Sequence, residues 1–154
     1  HVVDAYLCRR NYITRLLQLF LGVALFVSPL QSPNLWKVFE GVRFESKYID
    51  EEKAAFYVPQ FGDELLRMEG QKDVIKGYYL PIDLSSEGIV LSRYPMATCY
   101  FCGEAGPESV MMVFPAKKLE GLKMDDELTF EGTLELNDDD VYRLTFILTD
   151  AKRL

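Results

Sequence analysis

Two glycines stand inside the two longest β-prone runs of this chain, Gly77 within residues 74–82 and Gly132 within residues 127–136. A strand that gives up its side chain at mid-length is built for a bulge, a tight bend or a close backbone approach. Small closed barrels bend their strands hard and have the most use for such positions. Counting from residue 74, five β-prone runs follow one another, at 74–82, 89–94, 109–114, 127–136 and 142–149. Ser85-Ser86-Glu87-Gly88 and Asn137-Asp138-Asp139-Asp140 read as polar turns, the second of the hairpin type. A longer connector at 117–124, with a turn of helix as one option, separates the third and fourth runs. Together these features predict a mainly β chain whose residues 71–154 form a small five-stranded Greek-key barrel of the OB-fold type, with a β-sandwich as the alternative.

Residues 33–70 read as an extension in front of that barrel. Trp36 and Phe39 lie in a short stretch that suits one helical turn or a lead-in strand. Asp50-Glu51-Glu52-Lys53 is a charged tip between two β-prone runs, which predicts a hairpin. Phe61, Leu65, Leu66 and Met68 are spaced as in a helix and are closed by Gly70, so one short helix is expected over 62–69.

Residues 1–32 have the order of a targeting segment. Arg9, Arg10 and Arg15 precede an apolar run at 16–27, and Ser28, Pro29, Gln31 and Ser32 end it. That order predicts a signal peptide or an uncleaved amino-terminal membrane anchor, and hence an exported protein, periplasmic or anchored in the inner membrane and facing the periplasm. Membrane contact is expected through this segment alone. The run is short for a bilayer core of roughly 30 Å, and no small-x-small cleavage pattern stands in front of Pro29 or Pro33. Cys8 lies ahead of the run, so lipidation after it is not expected.

Composition then narrows the chemistry. The full chain carries 17 Lys plus Arg against 24 Asp plus Glu, with one His and three Cys. With residues 1–32 set aside, which hold three arginines, Asp4 and His1, 14 basic and 23 acidic residues remain, a formal net charge of −9. Phosphate-backbone binders draw affinity from Lys and Arg displacing counterions, so nucleic acid is not expected as a partner. Residues 33–154 contain no His. Ser-His-Asp and Cys-His catalytic sets and every His-bearing metal site are thereby excluded from that part, and no enzymatic activity is expected of it.

What chemistry remains is concentrated in Cys99-Tyr100-Phe101-Cys102, inside a loop rich in Gly and Pro. Two thiols separated by two residues can share one metal ion or each other. Zinc wants four ligands, and Glu104, Glu108, Met96, water or a partner would have to complete the set. Such an open site suits a transferable zinc ion or Cu(I), which accepts low coordination by thiolates. Cys99, Cys102, Glu104 and Glu108 are the candidate metal ligands. A loop disulfide is the structural reading, and thiol-disulfide exchange is the redox one, although a strand and a Gly-rich loop, not a helix start, flank the motif.

These same residues carry a resemblance. Gly77-Tyr78-Tyr79-Leu80-Pro81 followed by Cys99-Tyr100-Phe101-Cys102-Gly103 and Gly106-Pro107-Glu108-Ser109-Val110 resembles an uncharacterised group of exported bacterial proteins with an OB-like barrel. The resemblance covers roughly residues 35–154. It implies fold and compartment and, by analogy with periplasmic accessory proteins, a Cys-bearing loop that handles a metal; a membrane or periplasmic protein partner is expected of an accessory module of this kind.

Other features have plainer readings. Tyr78, Tyr79, Tyr94, Tyr100 and Phe101 could make an aromatic platform for a neutral glycan. The acidic groups at 63–64, 125–127 and 138–140 lack EF-hand spacing and read as solvated turns. Met111 and Met112 are neighbours in a β-run, so they face opposite sides and only one could join the thiols. The expected function is an exported non-enzymatic binding or accessory module, with metal binding through Cys99 and Cys102. The alternatives are an interaction domain with a loop disulfide and an oxidoreductase.

Overall fold

A computed structural model describes residues 34–84 and 88–154. The targeting segment at 1–32 and the turn residues Ser85, Ser86 and Glu87 lie outside the described residues. Among the described residues, no helix is long and apolar enough to cross a membrane.

The chain is mainly β. In order it forms α1 (Leu35–Phe39), β1 (Arg43–Ile49), β2 (Ala54–Gln60), α2 (Asp63–Met68), β3 (Lys72–Leu80), β4 (Ile89–Ser92), β5 (Val110–Pro115), β6 (Glu127–Leu136) and β7 (Phe146–Arg153). Strands β3 to β7 close into a barrel in the order β3-β4-β5-β7-β6, while β1 and β2 make a separate two-stranded sheet. Pairing is antiparallel except between β5 and β7, which run parallel. Numbered within the barrel, the order is 1-2-3-5-4, closing on strand 1, which is the expected OB-type Greek key.

The glycines are where the barrel pinches. A Cβ on Gly77 would lie 2.5 Å from the Ser92 carbonyl oxygen and 2.9 Å from Leu91 Cγ. One on Gly132 would lie 2.7 Å from the Thr149 oxygen and 2.8 Å from Leu148 Cγ, and the β6–β7 register shifts between Glu131 and Thr133. Both contacts are tighter than any side chain tolerates without movement of backbone.

Period-2 alternation sets the barrel's inside. Along β3, Asp73, Ile75 and Gly77 are buried while Lys72, Val74 and Lys76 are exposed. Leu91, Met111, Val113, Leu128, Phe130, Leu134, Phe146 and Leu148 complete the core. Helix α1 packs into this core. Asn34 caps it by accepting the Trp36 N–H at 3.1 Å, and Leu35, Trp36 and Phe39 are all buried. The Phe39 ring stacks on Phe146 with centroids 3.8 Å apart, and Trp36 Nε1 donates to the Lys76 carbonyl at 2.7 Å. The stretch holding Trp36 and Phe39 is therefore a helix rather than a lead-in strand.

Strands β3, β4 and β7 differ in their bounds from the expected runs, and so does the character of one connector. The connector after β5 contains no helical turn. The last strand begins at Phe146 and not at Tyr142, because buried Asn137 holds residues 137–145 as a loop. Its Nδ2 donates to the carbonyls of Asp140 at 2.8 Å and Arg143 at 3.2 Å, its Oδ1 accepts the Asp140 N–H at 3.0 Å, and its own N–H donates to Thr145 at 2.9 Å. A side chain that satisfies this many backbone groups competes directly with strand pairing.

Candidate functional site

The loop joining β4 to β5 begins at Arg93, which pairs with Glu40 at the end of α1. Three short 3₁₀ turns then follow, at Met96–Thr98, Tyr100–Cys102 and Pro107–Ser109. Cys99 sits at the junction of the first two, and the Cys102 N–H donates to the Cys99 carbonyl at 3.1 Å. Residues three apart nearly eclipse in such a turn, which brings the Cys99 thiol close enough to bear on the ionisation of Cys102. Gly103 closes the turn with φ +80°, a left-handed conformation that favours glycine.

The two cysteines have different surroundings. Cys99 is fully buried in a second apolar cluster with Leu80 and Val90, against which Met96, Ile82, Leu84 and Leu144 pack. Val90 neighbours the core-facing Leu91 in β4, so this cluster lies on the outer side of the strands, under the loops. The Cys99 sulfur thus fills space as a small apolar group. Cys102 is exposed, and its Sγ donates to the Met96 carbonyl at 2.8 Å. Desolvation pushes the Cys102 thiol above its ordinary pKa, and the Cys99 thiol and Glu104 push in the same direction. Each of these influences disfavours the thiolate, the form that attacks disulfides and binds metal. Both cysteines are free thiols.

The expected carboxylate ligands do not converge on them. Glu108 folds back over Gly106, filling the space a Cβ would take there, and its charge bears on Arg93. Glu104 is exposed and acts on Cys102 through its charge. Among the described residues, no group of three His, Cys, Asp or Glu side chains could hold a metal ion. The soft side chain that does accompany the pair is Met96. Met111 and Met112 are both buried, and Met111 belongs to the main core. The five aromatic residues do not make one platform. Tyr100 and Phe101 meet edge to face at 5.4 Å, whereas Tyr94 lies under the Arg93 guanidinium at 5.3 Å and Tyr79 packs against the core.

The loop instead forms one wall of a groove of about 330 Å³. Tyr100, Pro107 and Val110 line it on the barrel side, and the Asn137-stapled loop lines it with Asp138, Asp140, Val141 and Arg143. Its other wall is β2, of which the consecutive residues Ala55, Phe56, Tyr57, Val58 and Pro59 all face the groove. Phe44 of β1, the register partner of Pro59, also lines the groove, and burial alternates along β2, with Phe56 and Val58 half-buried and Ala55 and Tyr57 exposed. The edge of β2 away from β1 carries no partner strand among the described residues. Pro59 lacks an N–H and belongs on a pair that exchanges no bonds, and alternation then turns the N–H and C=O of Ala55 and Tyr57 outward. The tip of the hairpin is tied down by the Tyr142 hydroxyl, which donates to Glu52 Oε2 at 2.5 Å.

Sequence reasoning did not find Tyr57, Val141 or Asn137 as site residues. Tyr48 and Tyr57, exposed by 61% and 69%, are aromatic residues in a hairpin with little burial, and that was the available signal. The chain matches no protein-family model, no curated protein and no solved structure.

Proposed function

We propose that this chain is an exported, non-enzymatic binding module that receives an extended segment of a protein partner in the groove between β2 and the loop at 137–145. The observation that carries this reading is that β2, which has an edge unpaired among the described residues, gives five consecutive residues to the groove lining. Adding a strand to an open edge gives affinity through main-chain hydrogen bonds, while alternate side chains enter flanking pockets for specificity. Tyr57, Tyr100 and Val141 supply apolar contacts, and Asp138 and Asp140 favour a segment bearing Lys or Arg. A polynucleotide does not suit a groove with these carboxylates in a domain of net charge −9. Cys99 and Cys102, as free thiols on either side of Tyr100 and Phe101, anchor this stretch of the wall. The exported setting rests on the amino-terminal segment and on the resemblance to exported bacterial proteins.

The test is a doubly substituted variant, Tyr57→Arg with Val141→Arg, compared with the parent in its native cells. A stoichiometric partner should co-purify with the parent and be lost from the variant while the urea midpoint stays close to the parent's. Equal recovery of the partner with both proteins, or no partner with either, contradicts the reading.

A second reading is favoured by the position of Met96, which shares the Cys99 cluster and whose carbonyl accepts from Cys102. Two thiolates and a thioether make a soft donor set suited to Cu(I) rather than zinc. Reduced protein should then compete with a Cu(I) chelator, and the Cys99→Ser, Cys102→Ser variant should not. Equal competition by both removes this reading.

A further inference from the structure

A second groove, of about 720 Å³, has the opposite charge. Lys72, Lys117, Lys118, Lys152 and Arg153 line it, against Glu131 and Asp150. Five of the 14 basic residues at 33–154 thus gather at one place in a domain of net charge −9, and none of the five is ion-paired among the described residues. The floor is fixed by backbone: Ala116 N–H donates to the Ala151 carbonyl at 2.8 Å, Asp150 adopts φ +50°, and Gly132 is pressed against β7. The groove continues through shared Pro115, Lys118 and Leu119 onto an apolar shelf formed with Ile89 and Phe114.

This lining selects among anions. No aromatic ring lines the basic groove itself, and Phe114 on the adjoining shelf lies under the Arg143 guanidinium, so bases find no run of rings to stack on. Glu131 and Asp150 repel a uniformly charged polyanion, and the apolar shelf gives such a ligand nothing. What fits is an acidic peptide segment followed by apolar side chains. The chain itself presents one. Asp138, Asp139 and Asp140 run into Val141 and Tyr142, and Tyr142 is 71% exposed. Asn137 holds this loop in shape, so little ordering entropy remains to be lost when it docks.

We propose that copies of this chain associate head to tail, the acidic loop at 138–142 of one copy seating in the basic groove of the next. Such a contact is heterologous, each copy using two different surfaces, and it propagates unless the rotation closes a ring. The net charge of −9 opposes approach at long range, but screening over about 8 Å at physiological salt removes most of that, while charges in the groove are in contact.

Sedimentation velocity of the full chain tests this. At about 0.15 M salt the average mass should rise with concentration above the monomer's 17.7 kDa, and about 1 M salt should return it to that value. Lys117→Glu with Lys118→Glu destroys one surface, and Asp138→Lys with Asp139→Lys destroys the other. Each variant alone should associate at least ~10-fold more weakly than the parent. Mixed in equal amounts, the two should form a dimer and nothing larger, because each retains the surface its partner needs and lacks the one that would extend the chain. All of these proteins keep the same amino-terminal segment, so association through that segment would be unaffected by the substitutions. A parent that stays monomeric, a mixture that forms no dimer, or a groove that takes inorganic polyphosphate while the protein remains monomeric overturns the proposal. The salt response of the parent decides the matter even if a charge-reversed variant fails to fold.

Discussion

The barrel and the β1–β2 hairpin are both antiparallel β-structure, yet they are held in place in different ways. In the barrel, each strand buries alternate side chains in a core into which α1 packs, and the strands leave no free edge. In the hairpin, Pro59 is the one buried residue and both outer edges are unpaired. An isolated two-stranded sheet is marginal in water, and this one is held by its flanking connections, by Phe44 packed against the main core and by the Glu52–Tyr142 contact. Burial is therefore divided unequally between the two: the barrel holds the core, and under the proposed function the hairpin offers its edge to a partner.

Substitutions should separate the two regions in order of size. Phe39→Ala removes a fully buried ring from the stack on Phe146 and should lower stability by about 3–5 kcal/mol in urea unfolding. A loss below 1 kcal/mol would show that α1 is not part of the barrel core. Gly77→Ala brings a methyl against the Ser92 carbonyl and should cost about 1–3 kcal/mol, measured in the same way. At the small end, Tyr57→Ser should change stability by less than about 0.5 kcal/mol, since the side chain is 69% exposed. A cost as large as that of Phe39→Ala would erase the distinction between barrel and hairpin.

Asp73 sharpens the comparison through pH. It is buried on the inward face of β3, and desolvation pushes its carboxyl above the ordinary range, partly offset by the Val74 N–H that donates to it at 2.7 Å. The folded protein therefore holds this proton more tightly than the unfolded chain does. Stability contributed at this position falls as pH rises from the ordinary Asp range of about 4 through the raised value, and stays reduced above it. Asp73→Asn, which keeps an acceptor for Val74, should be more stable than the parent at neutral pH and lose that advantage below about pH 3.5. An advantage that is the same at both values would locate the effect in packing and not in the proton.

The barrel was largely legible in the sequence because its signals are local. Runs of Val, Ile, Tyr and Phe mark the strands, and Gly77 and Gly132 mark the two pinch points. What escaped was set by contacts far apart in sequence. That Phe39 stacks on Phe146, or that residues 55–59 face residues 137–145, follows from closure of the barrel and leaves no local pattern. Asn137 read as one more turn residue in an acidic run, although its buried amide converts that turn into a loop and delays β7 to Phe146. The Cys99 and Cys102 pair was visible, but the different surroundings of its two thiols were not. Glu108 turns toward Gly106 and Arg93, and Cys99 is held inside an apolar cluster while Cys102 is exposed, placements set by contacts outside the motif.

The division of labour between barrel and hairpin is tested most directly by a photo-crosslinking residue placed at Tyr57, in the groove, and separately at Val74, which is 44% exposed on the outer face of the barrel. In native cells the account expects a single discrete adduct with a partner protein from position 57 and none from position 74. Adducts of equal yield from both positions, or none from position 57, would contradict it.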